Sequence, residues 1–175
     1  MSPIRLLVSS PRPSGLLLLL SLLGAAGCWY GFAGGGLPAD VKTVAIMPFD
    51  NLTTEPTLTQ QVNGAVQVAM QDRLGLRAAG ENTADAIVRG SITRYEPDLP
   101  VAYSGGSDNS VNVTQRALQI TVNIEIMDQR AARPIWQRNG LIVEANYPPG
   151  QEGEGRRRAL EKLVTDIVDG AQSQW

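Results

Sequence analysis

Between Leu118 and Met127 apolar and polar side chains alternate without a break. Leu118, Ile120, Val122, Ile124 and Ile126 fall on one side, and Gln119, Thr121, Asn123, Glu125 and Met127 on the other. A period of two marks a half-exposed antiparallel strand, here assigned to Val111–Met127. Its natural hairpin partner is Ala84–Tyr95, where Ala86, Val88, Gly90 and Ile92 share one face. Pro97 and Pro100 place an edge or a bulge beyond it. Between the two strands, Ser104–Asn109 (SGGSDN) is the strongest turn signal in the chain. Val41–Phe49 (VKTVAIMPF) is rich in β-branched and aliphatic residues and ends at Pro48, which reads as a buried strand. Asp128–Arg133 is a turn. Pro134–Tyr147 is a fourth strand, with Gly140 at a bulge or kink.

The period changes to that of a helix in two places. After the Asn51–Thr54 loop, Pro56 suits a first helical position, with Thr54 or Glu55 near the cap. Leu58, Val62, Ala65, Val66, Ala69 and Met70 then recur on one helical face, and the helix should stop by Gly75. After a loop at Pro148–Gly155, Glu154–Trp175 repeats the pattern with Leu160, Leu163, Val164, Ile167, Val168 and Ala171. The expected order is β-α-β-β-β-α. That makes an α+β fold: a two-layer sandwich, with a four-stranded mixed sheet and two helices on one face. The other sheet face, with Thr121, Asn123 and Glu125, stays polar. No internal repeat is present.

The first 27 residues follow a different logic. Arg5 and Arg12 form a positive segment with no acidic residue to oppose them. Gly15–Ala26 is an apolar run of 12 residues, followed by small residues that suit a signal-peptidase groove. As a helix this run reaches about 18 Å, short of the ~30 Å hydrocarbon core, so a secretory signal suits it better than a permanent span. Ala25-Ala26-Gly27-Cys28 has the form of a bacterial lipobox, although Ala25 stands where an aliphatic such as Leu is preferred. Cys28 is the only cysteine and cannot form an internal disulfide. In the lipobox reading its nucleophilic thiolate receives a lipid, and cleavage precedes it. An ordinary secretory signal would leave a stray reactive thiol instead. Two or three acyl chains make stable membrane anchoring. Trp29, rather than Asp, after the cysteine points to the outer membrane under the enterobacterial sorting rule. Residues 28–36 would form a short aromatic and glycine-rich tether (CWYGFAGGG), and residues 37–175 a single domain.

Composition narrows the function. There is no histidine, which removes Ser-His-Asp and Cys-His triads, His-ligated metal sites and the commonest general base at neutral pH. One cysteine removes Cys-rich zinc and iron–sulfur sites. A net charge of -2 gives no basic field for nucleic acid. Asp50 with Glu55, or Glu152 with Glu154, could be read as carboxylate pairs. They lie in loops or at a helix start, where acids favour the helix dipole in any case. No catalytic residue, cofactor or metal site is assigned.

With these elements in place, four segments together carry a family resemblance. They are 37-LPADVKTVAIMPFDNLTTEPTL-58, 84-ADAIVRGSITRY-95, 118-LQITVNIEIMDQR-130 with Pro134-Ile135-Trp136, and 159-ALEKLVTDIVDGAQSQW-175. In this order, behind a lipobox, they resemble the LptE family of lipopolysaccharide-assembly lipoproteins. The resemblance implies a non-catalytic protein at the periplasmic face of the outer membrane. It implies a partner, the large LptD β-barrel, which the family plugs and helps to assemble, and an ability to interact with lipopolysaccharide. Of functional residues it carries over Cys28 alone. Lys42, Arg89, Arg94 and Arg116 are the basic candidates for a lipopolysaccharide contact, each also explicable as a solvated surface charge.

The VAIMPFDN segment also resembles the opening of CsgG-like curli-secretion lipoproteins and of lipoprotein activators of peptidoglycan synthases. A CsgG-like subunit would need strands with an apolar lipid-facing side. Here Arg89, Arg94, Arg116 and Glu125 interrupt the candidate strands. A synthase activator would need a long tether. Residues 29–36 reach only about 25–30 Å when fully extended.

Overall fold

The computed structural model describes residues 37–105 and 111–173. The elements in chain order are β1 (Thr43–Ile46), β2 (Asp50–Asn51), α1 (Leu58–Asp72), β3 (Arg77–Ala78), β4 (Ala86–Gly105), β5 (Val111–Asp128), β6 (Arg133–Tyr147) and α2 (Glu152–Gln172). The α+β class, the mixed sheet and the two helices agree with the sequence pattern. The strand number does not. The sheet has six strands in the order β3-β1-β4-β5-β6, with β2 also paired to β4. The chain order is therefore β-β-α-β-β-β-β-α.

Two causes account for the extra strands. The predicted strand Val41–Phe49 breaks in its second half: β1 ends at Ile46, and β2 resumes at Asp50. Ile46 pairs with Val88 and Asp50 with Ser91, so four steps on one side match three on the other. Pro48, with no N–H to donate, lies inside this irregular stretch. The second cause is β3. Only Arg77 and Ala78 pair with β1, in parallel, and two residues are too few for periodicity to register.

The long strands pair antiparallel, β4 with β5 and β5 with β6. Leu118, Ile120, Val122, Ile124 and Ile126 are all buried in the main core, as the alternation requires. The same core receives Leu58, Val62, Val66 and Met70 from α1 and Ala159, Leu163, Ile167 and Ala171 from α2. Both helices thus cover one sheet face.

α1 begins at Leu58, two residues later than Pro56 suggested, with Thr57 at its cap position. The Glu55 carboxylate accepts the Thr57 hydroxyl and N–H, closing a turn before the helix rather than within it. The helix ends as expected: Gly75 adopts φ +67°, a left-handed conformation that glycine takes without a Cβ penalty. Gly140 likewise has φ +65° and sits at the irregularity between β5 and β6, where its N–H donates to Asn123 Oδ1 at 2.8 Å.

Candidate functional site

The lipid-attachment candidate, Cys28, lies outside the described residues, as do the leader and the tether. The other sequence candidates fall within them, and the fold separates most of them.

β4 and β5 place Arg89 and Arg94 on the sheet face away from the helices. Arg89 stands opposite Glu125, which in turn stands opposite Gln137. One row along, Ser91 stands opposite Asn123, whose amide donates to the Ser91 hydroxyl at 3.3 Å. Arg94 follows opposite Thr121, after a bulge that leaves Thr93 as the extra residue. Arg89, Ser91, Asn123, Glu125, Gln137 and Asn139 line an open depression of about 440 Å³. This is a polar platform with charges of both signs. It can hydrogen-bond a polar surface, and its side chains include no nucleophile paired with a base.

Arg116 behaves differently. It is ion-paired to Asp98 across the β4–β5 hairpin, and that hydrogen bond raises its pKa further above the ordinary arginine value. Beside it, the Tyr147 hydroxyl donates to the Pro97 carbonyl at 2.5 Å. Arg116 therefore braces the hairpin and is not an open cationic site. Lys42 is remote from the platform, at the start of β1. Its backbone N–H donates to Asp85 Oδ2 at 3.0 Å, and its side chain is exposed. Of the four basic candidates, only Arg89 and Arg94 share a face.

The Glu152–Glu154 pair is structural too. Glu152 accepts Arg156 at 2.9 Å, and Glu154 accepts Arg157 at 2.6 Å and Arg158 at 2.9 Å, each pair one helical turn apart. Arg156 also stacks 5.4 Å from the Tyr95 ring centroid. Burial pushes the Tyr95 hydroxyl up to about 12, against the opposing pull of Arg156. This cluster fastens the start of α2 to β4. Among the described residues, no group of three or more Asp, Glu, His or Cys side chains is placed to hold a metal ion.

Sequence reasoning missed the distal half of the β4–β5 hairpin. It ended the second strand at Tyr95, whereas β4 runs on to Gly105. β6 stops pairing at Tyr147, opposite Arg116, so beyond that point β4 and β5 form a two-stranded ribbon. On it Val101, Tyr103 and Val111 are 44%, 60% and 71% exposed. The available signal was compositional: from Leu99 to Gln115 the only charged residue is Asp108.

Against known proteins, the family model described as LptE, lipopolysaccharide-assembly, matches residues 41–170. No curated protein sequence is significantly similar to the chain. Among solved structures, a Xanthomonas campestris protein superposes with a TM-score of 0.51 at 13% identity, covering 79% of this chain and 90% of that one. A lipoprotein B from Nitrosomonas europaea superposes with a TM-score of 0.50 at 12% identity, covering 84% of this chain and 91% of that one. At such identities these two likenesses speak for the fold alone.

Proposed function

The chain belongs to the LptE family, and on that premise we propose that it is an outer-membrane lipoprotein that plugs an LptD-like β-barrel and assists its assembly during lipopolysaccharide transport to the cell surface. The observation that carries this reading is the family match, which spans nearly every described element from two residues before β1 into α2. In the proposed arrangement residues 1–27 are removed, Cys28 carries the lipid at the periplasmic face, residues 28–36 are the tether, and residues 37–175 are the plug.

The fold supplies physical support. A plug in a barrel lumen meets a polar interior. The sheet face with Ser91, Thr121, Asn123 and Glu125 offers half-buried hydrogen-bonding groups, with an apolar cluster of Ala45, Ala84 and Ile87 at one end of it. The proposed role needs no bond-making chemistry, consistent with carboxylates and arginines that brace helices and strands. Lipopolysaccharide is a second contact of the same proposed assembly. Of the four basic candidates, Arg89 and Arg94 lie on the open face.

The test is purification of the lipidated protein from native outer membranes in mild detergent. Co-purification of an LptD-like barrel is expected, and recovery without one would sink the plug reading. A Cys28→Ser protein should lose its lipid mass and leave the outer-membrane fraction. If mass and fraction stay unchanged, the anchor assignment fails.

A further inference from the structure

β6 is the outermost strand on its side of the sheet, and among the described residues it pairs with β5 alone. Its free edge divides at Gly140, whose left-handed backbone sits at the register shift. Beyond that point Leu141–Tyr147 runs in unbroken register with Val122–Arg116. This stretch (LIVEANY) has no proline and one charged residue, Glu144. Ile142 within it is 56% exposed on the open face. The Asn146 carbonyl accepts the Arg158 guanidinium at 3.3 Å, which turns that carbonyl toward the free edge. Alternate residues of a strand aim their N–H and C=O to the same side, so Glu144 and Ile142 present theirs outward as well.

α2 runs back along this edge. Gly155 lies against the Tyr147 ring and Gly170 under the Trp136 indole, which sets the helix antiparallel to β6. One flank of α2, with Arg157, Leu160, Glu161 and Val164, borders α1. The other flank carries Arg158, Lys162 and Asp166 at one-turn spacing, with Asp169 a turn further on. Arg158 reaches Asn146, and Asp166 and Asp169 border a depression with Trp136 and Arg138, so this flank overlooks the β6 edge. Its first half is positive and its second half negative. Arg158 is paired to Glu154, and Asp169 to Arg73 at 3.7 Å. Among the described residues, neither Lys162 nor Asp166 is in an ion pair.

We propose that β6 pairs antiparallel with β6 of a second copy of this chain, about a two-fold axis normal to the sheet near Ile142 and Val143. The charge pattern carries this choice of occupant. A two-fold reverses the direction of the helix, so the Arg158–Lys162 half of one α2 faces the Asp166–Asp169 half of the other, and each attraction occurs twice. A copy added in parallel would set like charges together. One axis serves both layers. Halfway between the Gly155–Tyr147 and Gly170–Trp136 contacts, α2 is at about Lys162 and β6 at about Ile142. The exposed Ile142 side chains meet beside the axis, and the outward groups of Ile142 and Glu144 gain ladder partners. Gly140 at one end and Arg158 at the other confine the junction to the strand between them. The axis also holds the two Leu37 ends at equal height, so two lipid-anchored copies can pair on one leaflet with the sheet lying flat. Pairing needs only the sheet edge and α2, and is independent of the plug role.

The experiment uses the full chain, expressed without a barrel and purified in mild detergent. Sedimentation over a dilution series should show a monomer–dimer equilibrium. Ile142→Lys should raise the dissociation constant roughly tenfold or more, by setting like charges near the axis. Lys162→Asp should weaken the dimer similarly, and adding Asp166→Lys to it should restore the parent value, because the swapped charges again meet across the axis. Thermal midpoints of these variants should stay at that of the diluted parent. Ile142→Cys should crosslink to a second copy through a short bis-maleimide, above any background from Cys28, whereas Val68→Cys on α1 should not. A chain that stays monomeric at every concentration overturns the proposal. So does a dimer that ignores both Ile142→Lys and Lys162→Asp, one that crosslinks through Val68, or an Ile142→Cys chain that crosslinks only to a different protein. Recovery of a barrel from native membranes tests the plug reading separately.

Discussion

Asp85 and Thr43 hold each other reciprocally. The Thr43 hydroxyl donates to Asp85 Oδ2 at 2.8 Å, the Thr43 N–H donates to the same oxygen at 3.0 Å, and the Asp85 N–H donates to Thr43 Oγ1 at 2.9 Å. Arg130 closes the other carboxylate oxygen at 2.5 Å. Asp85 is 6% exposed, and this clasp joins the start of β1 to the start of β4 across 42 residues of sequence. The hydrogen bonds from the Lys42 N–H and the Thr43 hydroxyl hold its carboxyl below the ordinary 3.8.

The direction of the acid response follows. In the unfolded chain Asp85 takes up a proton near its ordinary value, whereas the native carboxylate resists protonation until lower pH. Its contribution is thus present above about pH 4 and is lost as pH falls through the native pKa. Thermal midpoints measured from pH 6 down to pH 2 should fall less steeply in Asp85→Asn than in the parent, and Asp85→Asn should be the less stable at pH 6. Parallel curves would remove the clasp from the account.

Gly170 on α2 lies under the Trp136 indole, where an added Cβ would come within 2.4 Å of the ring. Gly170→Ala therefore gains helix propensity but forces the indole or the helix to move. Chemical denaturation should show a net loss of about 1–3 kcal/mol, the usual cost of overpacking. A stabilised variant would mean that the indole yields easily.

Ile120 and Ile142 test which sheet face carries the core. Ile120 is fully buried under the helices, whereas Ile142 is 56% exposed on the opposite face. Ile120→Ala should cost about 2–5 kcal/mol and Ile142→Ala about 0.5 kcal/mol or less, read as a shift of the urea midpoint. Similar losses at both positions would contradict the two-layer arrangement.

Tyr95 governs the alkaline side. Its hydroxyl is held up to about 12 by burial, whereas an unfolded tyrosine ionises near 10. Its stabilising share is complete below pH 10 and drains away as pH rises toward 12. Stability measured across that interval should decline less in Tyr95→Phe than in the parent, by at most one proton's worth of slope. Tyr147 is raised by burial as well and supplies part of the remaining slope.

How much was legible depended on how local the cause was. The alternation from Leu118 to Ile126 and the helical stripes of α1 and α2 located most of the buried face correctly. Leu160 and Val164 end half-buried, because α1 and α2 leave an apolar groove between them that also exposes Val68. The basic candidates were legible as residues but not as a group. Sequence spacing along β4 puts Arg89 and Arg94 on one face only once the bulge at Thr93 is counted, and no local signal marks Arg116 as the partner of Asp98.

By itself the sequence determined the α+β class, the core stripe and, β4 apart, the ends of the long elements to within a few residues. Those follow from periodicity and turn chemistry, which act over a few residues. Tertiary structure alone decided the two-residue strands β2 and β3, the burial of Asp85 and the reach of β4 past Pro97 and Pro100. The physical reason is the partner. A strand survives proline when the edge that loses its N–H faces no neighbour, and a carboxylate survives burial when distant N–H groups meet it. Neither condition is written in the residues beside it.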